Sequence, residues 1–273
     1  MYKRQKLERK SIAFFNSNDI YPISADSTLP FDQHRDIFYL SGIDQEESLL
    51  VLFPDSKDIE YKEMLFIRET NEYITHWEGE KLTKEQAKNI SGINNIFWIG
   101  EFEDILKEVL SQADFVYINT NEHYRQNVQT QTREDRFINR LKNINGLKFK
   151  KSNPILQKQR SVKDQIEIEL IKNACEITKK GFERVLTFIK PGVWEYEIEA
   201  EFSHEFLRNR SRRFAYTPII ASGRNSNFLH YVYNNKQCLD GEIVLMDVGA
   251  EYANYSSDMT RTVPVNGRFS ERQ

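Results

Sequence analysis

Two aspartates, Asp247 and Asp258, are the residues of this sequence whose surroundings most clearly indicate chemistry. Asp247 interrupts the apolar run of residues 243–249, and Asp258 follows it eleven residues later. The run does not alternate between apolar and polar residues, which predicts a strand that is covered on both faces. A bare carboxylate is costly to bury there, so Asp247 must be paired, protonated or bound to a cation.

The spacing of the two aspartates predicts a shared metal site. A hairpin that turns at Tyr252 and Ala253 would place Asp247 and Asp258 roughly opposite each other, with Cβ atoms about 5 Å apart. Two carboxylates so close repel each other unless positive charge lies between them. Carboxylate oxygens suit divalent ions such as Mn, Co, Mg or Zn, and further ligands must come from elsewhere. In the alternative interpretation, Arg261 neutralises one aspartate and the other faces solvent.

His230 is a further candidate for this site. It lies ten residues before the turn at Asp240, within residues 229–233, which are predicted to form a strand. A histidine in an apolar strand is more often a satisfied core residue than a group that contacts substrate. The residue type and its position leave both interpretations open.

The elements that must position these three residues form an α+β domain. A long amphipathic helix is predicted from Ser161 or Asp164, either of which can cap it, to a stop at Pro191. A second amphipathic helix follows at residues 194–210, and then come the strand of residues 217–223 and the aspartate hairpin. Helices followed by antiparallel strands are typical of an α+β domain.

The first half of the sequence predicts a separate α/β domain, because strands and helices alternate there. Helices are predicted at residues 7–16, 83–90 and 102–112, and strands at residues 36–40, 48–53, 64–67 and 115–118. The polar segment 150–154, which contains a proline, then marks a boundary. We therefore predict two domains, residues 1–155 and residues 156–273.

Composition restricts the class of protein. The net charge is −3, so no basic excess offers the phosphate contacts of a nucleic-acid-binding protein. The two cysteines, Cys175 and Cys238, do not make a disulfide framework, and the reduced cytoplasm is the expected location. No apolar run approaches the roughly 18 residues of a membrane span. We expect neither nucleic acid nor a membrane as a partner.

Four blocks of the second half, taken together, resemble the Xaa-Pro aminopeptidase (aminopeptidase P) family of pita-bread metallopeptidases. The blocks are FAYTPIIASGRNS (214–226), LHY (229–231), DGEIVLMDVGAEY (240–252) and SDMTRTVPVNG (257–267). In the first half, DIFYLSG (36–42) and the aliphatic strand before Pro54 are similar to the N-terminal domain of that family. The resemblance covers nearly the whole chain and implies a pita-bread fold for the second domain.

The resemblance also implies roles for the candidate residues. The metal site of the family consists of two aspartates, one histidine and two glutamates that hold two metal ions. By motif, Asp247 matches the terminal aspartate ligand, Asp258 the bridging one, and His230 a histidine that lines the substrate pocket. Nothing in this sequence matches the other three ligands. The resemblance therefore implies that only the first half of the catalytic domain is present, and we expect the isolated chain to be inactive.

The function that the resemblance implies is that of a cytoplasmic, metal-dependent aminopeptidase. Such an enzyme removes the N-terminal residue from peptides that have proline in the second position. The implied cofactors are two divalent metal ions, most often manganese, and the implied partners are peptide substrates and, in the full-length protein, further copies in a dimer or tetramer. Two alternatives remain open: prolidase, a dipeptidase with the same motifs, and a binding module that keeps the pita-bread shape without the chemistry.

Overall fold

The chain forms two compact units, which divide between Val162 and Lys163. The computed structural model describes residues 6–24, 27–78, 80–123, 130–144 and 146–273. The boundary predicted after residue 155 lies inside the last helix of the first unit. That helix belongs to the first unit because Leu156 is buried in its core and Ile155 packs against the same cluster.

The first unit is built on a six-stranded sheet. Its strands are β1 (Ser11–Asn16), β4 (Leu49–Leu52), β5 (Glu63–Ile67), β6 (Asn95–Trp98), β7 (Phe115–Ile118) and β8 (Lys148–Lys151), and a separate short pair consists of β2 (Pro22–Ser24) and β3 (Ser27–Thr28). The strand order is β6-β5-β4-β1-β7-β8. β1, β7 and β8 are parallel, β4 is antiparallel to β1 and β5, and β6 is parallel to β5.

Helices cover both faces of this sheet. They are α1 (Arg35–Ser41), α2 (Glu72–Glu78), α3 (Lys84–Ser91), α4 (Phe102–Leu110), α5 (Arg133–Lys142) and α6 (Asn153–Ser161). Side chains alternate along β1, so Phe14 packs with α4 and α5 while Phe15 packs with α1, α3 and α6. Two hydrophobic cores on opposite faces of one sheet confirm the predicted α/β class.

Two of the predicted elements in this unit are wrong. The helix predicted at residues 7–16 is instead β1, whose six residues are all buried. A short continuous apolar run fits a buried strand as well as a buried helix, so periodicity could not separate them. The strand predicted at residues 36–40 is instead α1, which begins where His34 accepts a hydrogen bond from the Asp36 N–H and ends at Gly42.

The second unit packs two long helices against an antiparallel sheet. The helices are α7 (Gln165–Phe188) and α8 (Glu195–Arg208), the sheet strands are β9 (Ile219–Ser222), β10 (Ile243–Val248) and β13 (Met259–Pro264), and β11 (Glu251–Tyr252) pairs with β12 (Tyr255–Ser256). The strand order in the sheet is β13-β10-β9, and both pairings are antiparallel. This arrangement confirms the predicted α+β class.

The two helices form where their sequence signals lie. Asp164 caps α7 and forms a reciprocal capping box with Glu167. The helices approach closely at Gly181, where a Cβ atom would lie 2.8 Å from the ring of Phe202. The ring of Phe202, together with Ile198 and Val244, fills the core between the helices and the sheet.

In the described part of the chain, no helix combines the length and apolar character of a membrane span.

A carboxylate joins the ends of two parallel strands in the first unit. Glu134, in the first turn of α5, accepts hydrogen bonds from Asn16 Nδ2 at 2.8 Å and from the Asn119 N–H at 3.5 Å. Burial raises the pKa of Glu134 to about 7, against the opposing effect of these hydrogen bonds. Since its usual pKa is 4.5, the stability that the neutral group contributes is complete below that pH and is lost as pH rises through about 7.

We predict that Glu134→Gln stabilises the first unit at pH 8 and changes little at pH 5. The amide keeps an acceptor for Asn16 and never ionises, so the gain at pH 8 is about 1–2 kcal/mol. Hydrogen exchange of the β1 and β7 amides, compared with the unsubstituted chain at each pH, measures the difference.

The matched control is Glu85→Gln, at an exposed position in the first turn of α3. It tests whether removing any acid from a first turn has the same effect. Equal changes at pH 5 and pH 8, or a loss of protection at pH 8, contradict the assignment of the ionisation to Glu134.

Candidate functional site

The aspartate hairpin is centred one residue later than predicted. Tyr252 pairs with Tyr255, and the turn consists of Ala253 and Asn254, both with positive φ, 49° and 64°. In the sheet, Asp247 lies opposite Thr260. The predicted turn at Tyr252 and Ala253 is therefore wrong, and the two aspartates are not directly opposed.

The shifted register still leaves the two aspartates on one face. Moving the turn by one residue moves the pairing by two, and side chains alternate between faces with a period of two. Asp258, just before β13, consequently reaches the same cleft as Asp247 on β10. Diagonal neighbours on adjacent strands lie about 7–8 Å apart at Cα, so their carboxylates can converge.

A phenol lies between the two carboxylates. Tyr216 Oη is 2.6 Å from Asp247 Oδ1 and 3.1 Å from Asp258 Oδ1. Burial, reinforced by the hydrogen bond to Asp247, raises the pKa of Tyr216, so the phenol stays protonated. A phenol has a single proton to donate, and the shorter distance assigns it to Asp247. Sequence reasoning missed Tyr216, because nothing in its type or spacing distinguishes it from other tyrosines.

The two aspartates differ in their exposure. Asp247 is half-buried and Asp258 is exposed. Burial alternates along β10, which contradicts the predicted strand covered on both faces. Helices α7 and α8 cover the face that carries Val244 and Met246, whereas on the face of Asp247 Leu245 packs against the small cluster of Ile219, Ala221 and Tyr231.

The alternative in which Arg261 neutralises an aspartate does not fit the structure. Arg261 lies opposite Met246, so its side chain leaves the sheet on the face away from Asp247. Its guanidinium donates to the carbonyl of Thr260. Among the described residues, no lysine or arginine forms a salt bridge with Asp247 or Asp258.

Close backbone packing holds the hairpin in this position. A Cβ atom at Gly249 would lie 1.9 Å from the carbonyl oxygen of Ser257, so only glycine fits there. The Ser257 hydroxyl also bonds Thr178 Oγ1 of α7 at 2.6 Å, and both hydroxyls accept from the Ala250 N–H. The strand that precedes Asp258 is therefore attached to the long helix.

His230 reaches the same cleft from a turn. It follows the 3-10 turn Gly223–Asn227, is exposed, and belongs to no strand. The strand predicted at residues 229–233 is wrong, because side-chain hydrogen bonds rather than a neighbouring strand hold this segment. For example, the Tyr231 hydroxyl and, just after the segment, the Lys236 backbone N–H both donate to the carboxylate of Glu195.

The three predicted site residues thus line one cleft of about 450 Å³. Its lining consists of Tyr216, Thr217, Ile219, His230, Val232, Asp247 and Asp258. Two carboxylates beside one phenol are oxygen ligands of the kind that divalent metals accept. The part of the chain that the structure describes contains no group of three or more His, Cys, Asp or Glu able to hold a metal. The donor set fits a divalent ion in kind but is incomplete in number.

Comparisons with protein families match both units. Residues 169–273 match the model of metallopeptidase family M24, and residues 3–117 match that of the aminopeptidase P N-terminal domain. The Xaa-Pro aminopeptidase of Haemophilus influenzae is 33% identical over 91% of this chain and 55% of its own length. That of Escherichia coli is 32% identical over 92% and 57%. The chain thus spans little more than half the length of these relatives.

Solved structures are similar over the whole chain. Aminopeptidase P from Escherichia coli, solved with the inhibitor Pro-Leu, has a TM-score of 0.86 at 30% identity and covers 99% of this chain and 62% of its own. Aminopeptidase PepP from Pseudomonas aeruginosa has a TM-score of 0.87 at 29% identity and covers 99% and 61%. The second unit corresponds to part of the pita-bread fold of these proteins. The chain belongs to the aminopeptidase P group of metallopeptidase family M24.

Proposed function

We propose that the protein is a metal-dependent aminopeptidase that releases the N-terminal residue from peptides with proline in the second position. The observation that carries the proposal is the convergence of Asp247, Asp258 and His230 on one cleft, in a chain of the aminopeptidase P group. The substrate class follows from the relatives, which are named Xaa-Pro aminopeptidases.

In this proposal, Asp247 and Asp258 would hold two divalent ions, in the terminal and bridging roles that their motif matches imply. Such ions, when bound, polarise the scissile carbonyl and activate water. The hydrogen bond from Tyr216 orients Asp247, and the backbone packing at Gly249 keeps Asp258 beside it. Because two carboxylates do not complete a coordination sphere, bound ions would need further ligands.

His230 contacts the substrate in this proposal and does not bind metal. Its imidazole is exposed, lines the cleft and forms no hydrogen bond with any described residue. It is therefore available to donate a hydrogen bond to a peptide carbonyl, where negative charge develops during hydrolysis.

We further propose manganese as the native metal, a cytoplasmic location and a homo-oligomer. Carboxylate ligands suit manganese among the divalent transition metals. Cys175 and Cys238 are both free, which fits a reducing compartment. Inductively coupled plasma mass spectrometry of the purified full-length protein tests the metal, and light scattering tests the oligomer.

A substrate panel tests the reaction. The full-length protein, loaded with manganese, is assayed on Xaa-Pro dipeptides, on Xaa-Pro tripeptides and on tripeptides with alanine in place of proline. We expect cleavage of the Xaa-Pro tripeptides. Cleavage confined to the dipeptides indicates a prolidase, and absence of cleavage with metal bound indicates a binding module.

We predict that Asp258→Asn in the full-length protein abolishes activity and leaves the fold intact. An amide has no negative charge for the ions and cannot replace a shared carboxylate. Activity, metal content and thermal unfolding are measured together. The control is Asp240→Asn. Asp240 is exposed, lies just before β10 and accepts a hydrogen bond from the side chain of Asn266. Activity within tenfold of the unsubstituted protein, with two metals bound, contradicts the shared-ligand role.

We predict that His230→Ala lowers turnover about 10²- to 10³-fold without changing metal content, as expected for one lost donor to the transition state. His204→Ala, at an exposed position on α8, is the matched control and should be silent. Loss of metal in the His230 variant assigns His230 to the ions instead of the substrate.

A further inference from the structure

A fully buried carboxylate lies beneath the segment that carries His230. Glu195, the first residue of α8, has an exposed fraction of 0%. A carboxylate is costly to bury unless donors replace its lost water. The nearby Lys236 ammonium group does not neutralise the charge of Glu195, because it pairs with Glu242. Glu195 relies on hydrogen bonds.

One oxygen of Glu195 holds the end of β9. Oε1 accepts from the Ser222 N–H at 2.7 Å, from Ser222 Oγ at 2.8 Å and from Asn225 Nδ2 at 3.3 Å. These donors belong to the last residue of the strand and to the 3-10 turn that follows it. The start of the His230 segment is thereby attached to α8.

The other oxygen holds the far side of the same segment. Oε2 accepts from Tyr231 Oη at 2.7 Å and from the Lys236 N–H at 2.9 Å, and the Glu195 N–H donates to the Lys236 carbonyl at 2.9 Å. Burial, reinforced by the bond to Glu195, raises the pKa of Tyr231 to about 12, so its phenol remains a donor. Both ends of residues 222–236 converge on one side chain.

His230 depends on these attachments because it has few of its own. Its ring bonds no described residue, and the backbone around it belongs to no strand. Its neighbour Tyr231 is buried in a cluster with Ile219 and Ala221, and the hydrogen bond to Glu195 fixes that phenol. The direction in which His230 leaves the backbone follows from the position of Tyr231.

We propose that Glu195 is a positioning residue that sets the place of His230 in the cleft, through Tyr231 and the two ends of residues 222–236. The inference rests on the proposed function, in which His230 contacts the peptide. Glu195 itself touches neither substrate nor metal. Its charge attracts five donors at once, and charge-assisted hydrogen bonds are stronger and geometrically stricter than neutral ones.

Two substitutions test the role, with a third as control. Glu195→Gln keeps one acceptor oxygen and presents an NH2 group to the other set of donors. Tyr231→Phe removes only the contacts of the phenol hydroxyl with Glu195 and Asn235 and is expected to keep the folded core if the first variant fails to fold. The control, Glu201→Gln, makes the same change on α8 at a residue that pairs with Arg184 on α7, away from residues 222–236.

The first readout needs no enzymatic activity. NMR of the 273-residue chain with 15N-labelled histidine follows the His230 ring, and hydrogen exchange follows residues 222–236. We expect both test variants to broaden or shift the His230 signals and to speed exchange of those amides at least tenfold, with α7 unchanged. The control should leave His230 unaltered. Uniform loss of protection across both helices, with His230 signals unchanged in Tyr231→Phe, overturns the positioning role.

The second readout uses the full-length protein. We expect Glu195→Gln and Tyr231→Phe to lower kcat about tenfold or more with unchanged metal content, and to add little in a His230→Ala background, since effects that act through one residue are not additive. An equal decrease in that background overturns the positioning role while the peptidase proposal stands. If the unsubstituted protein cleaves no Xaa-Pro peptide, the peptidase proposal fails, and the NMR and exchange results alone decide the role of Glu195.

Discussion

The repulsion between two neighbouring carboxylates is the constraint around which the second unit is arranged. Asp247 and Asp258 lie within hydrogen-bonding distance of one phenol, and no described cation neutralises either of them. Like charges so close are unfavourable without a counter-charge, so the fold must supply the energy that keeps them together. It does so through the paired strands β10 and β13 and through the backbone contact at Gly249. A cation between the two carboxylates would relieve this repulsion, which is why the proposed function assigns them to a metal site.

The cleft combines a rigid side with a side held by polar contacts. Asp247 lies on β10, which pairs with a strand on each of its edges. Helices α7 and α8 cover the face of β10 that is opposite to Asp247. His230 lies on a segment without strand pairing, whose position depends on the buried side chains of Glu195 and Asn234. Hydrogen-bonded carboxylates and amides can hold an irregular segment as firmly as the backbone hydrogen bonds between paired strands hold a sheet, provided that every donor is satisfied. The part of the cleft that carries the aspartates and the part that carries His230 thus have different physical supports.

The errors in the sequence analysis have a common physical origin. Residues 7–16 and 36–40 contain short apolar runs, which are compatible with either a helix or a strand until tertiary packing selects one. Residues 229–233 have the composition of a strand but pair with no strand among the described residues, and the Tyr231 phenol is held by the carboxylate of Glu195 instead. The long helices α7 and α8 were predictable because their periodicity extends over several turns and their caps are local. The errors thus fall in short segments whose structure is decided by tertiary contacts and not by local periodicity.

The sequence alone determined the two-unit α/β and α+β organisation, the presence of Asp247 and Asp258 on one hairpin and, through the resemblance of its motifs, the family. The organisation and the hairpin follow from periodicity, local capping and residue spacing, which are properties of neighbouring positions in the chain, and the family follows from the resemblance of four sequence blocks. Only the tertiary structure decided the register that keeps the aspartates on one face, the place of Tyr216 between them and the role of Glu195 beneath His230. Each of these depends on contacts between residues far apart in the chain, and such contacts leave no local pattern in the sequence.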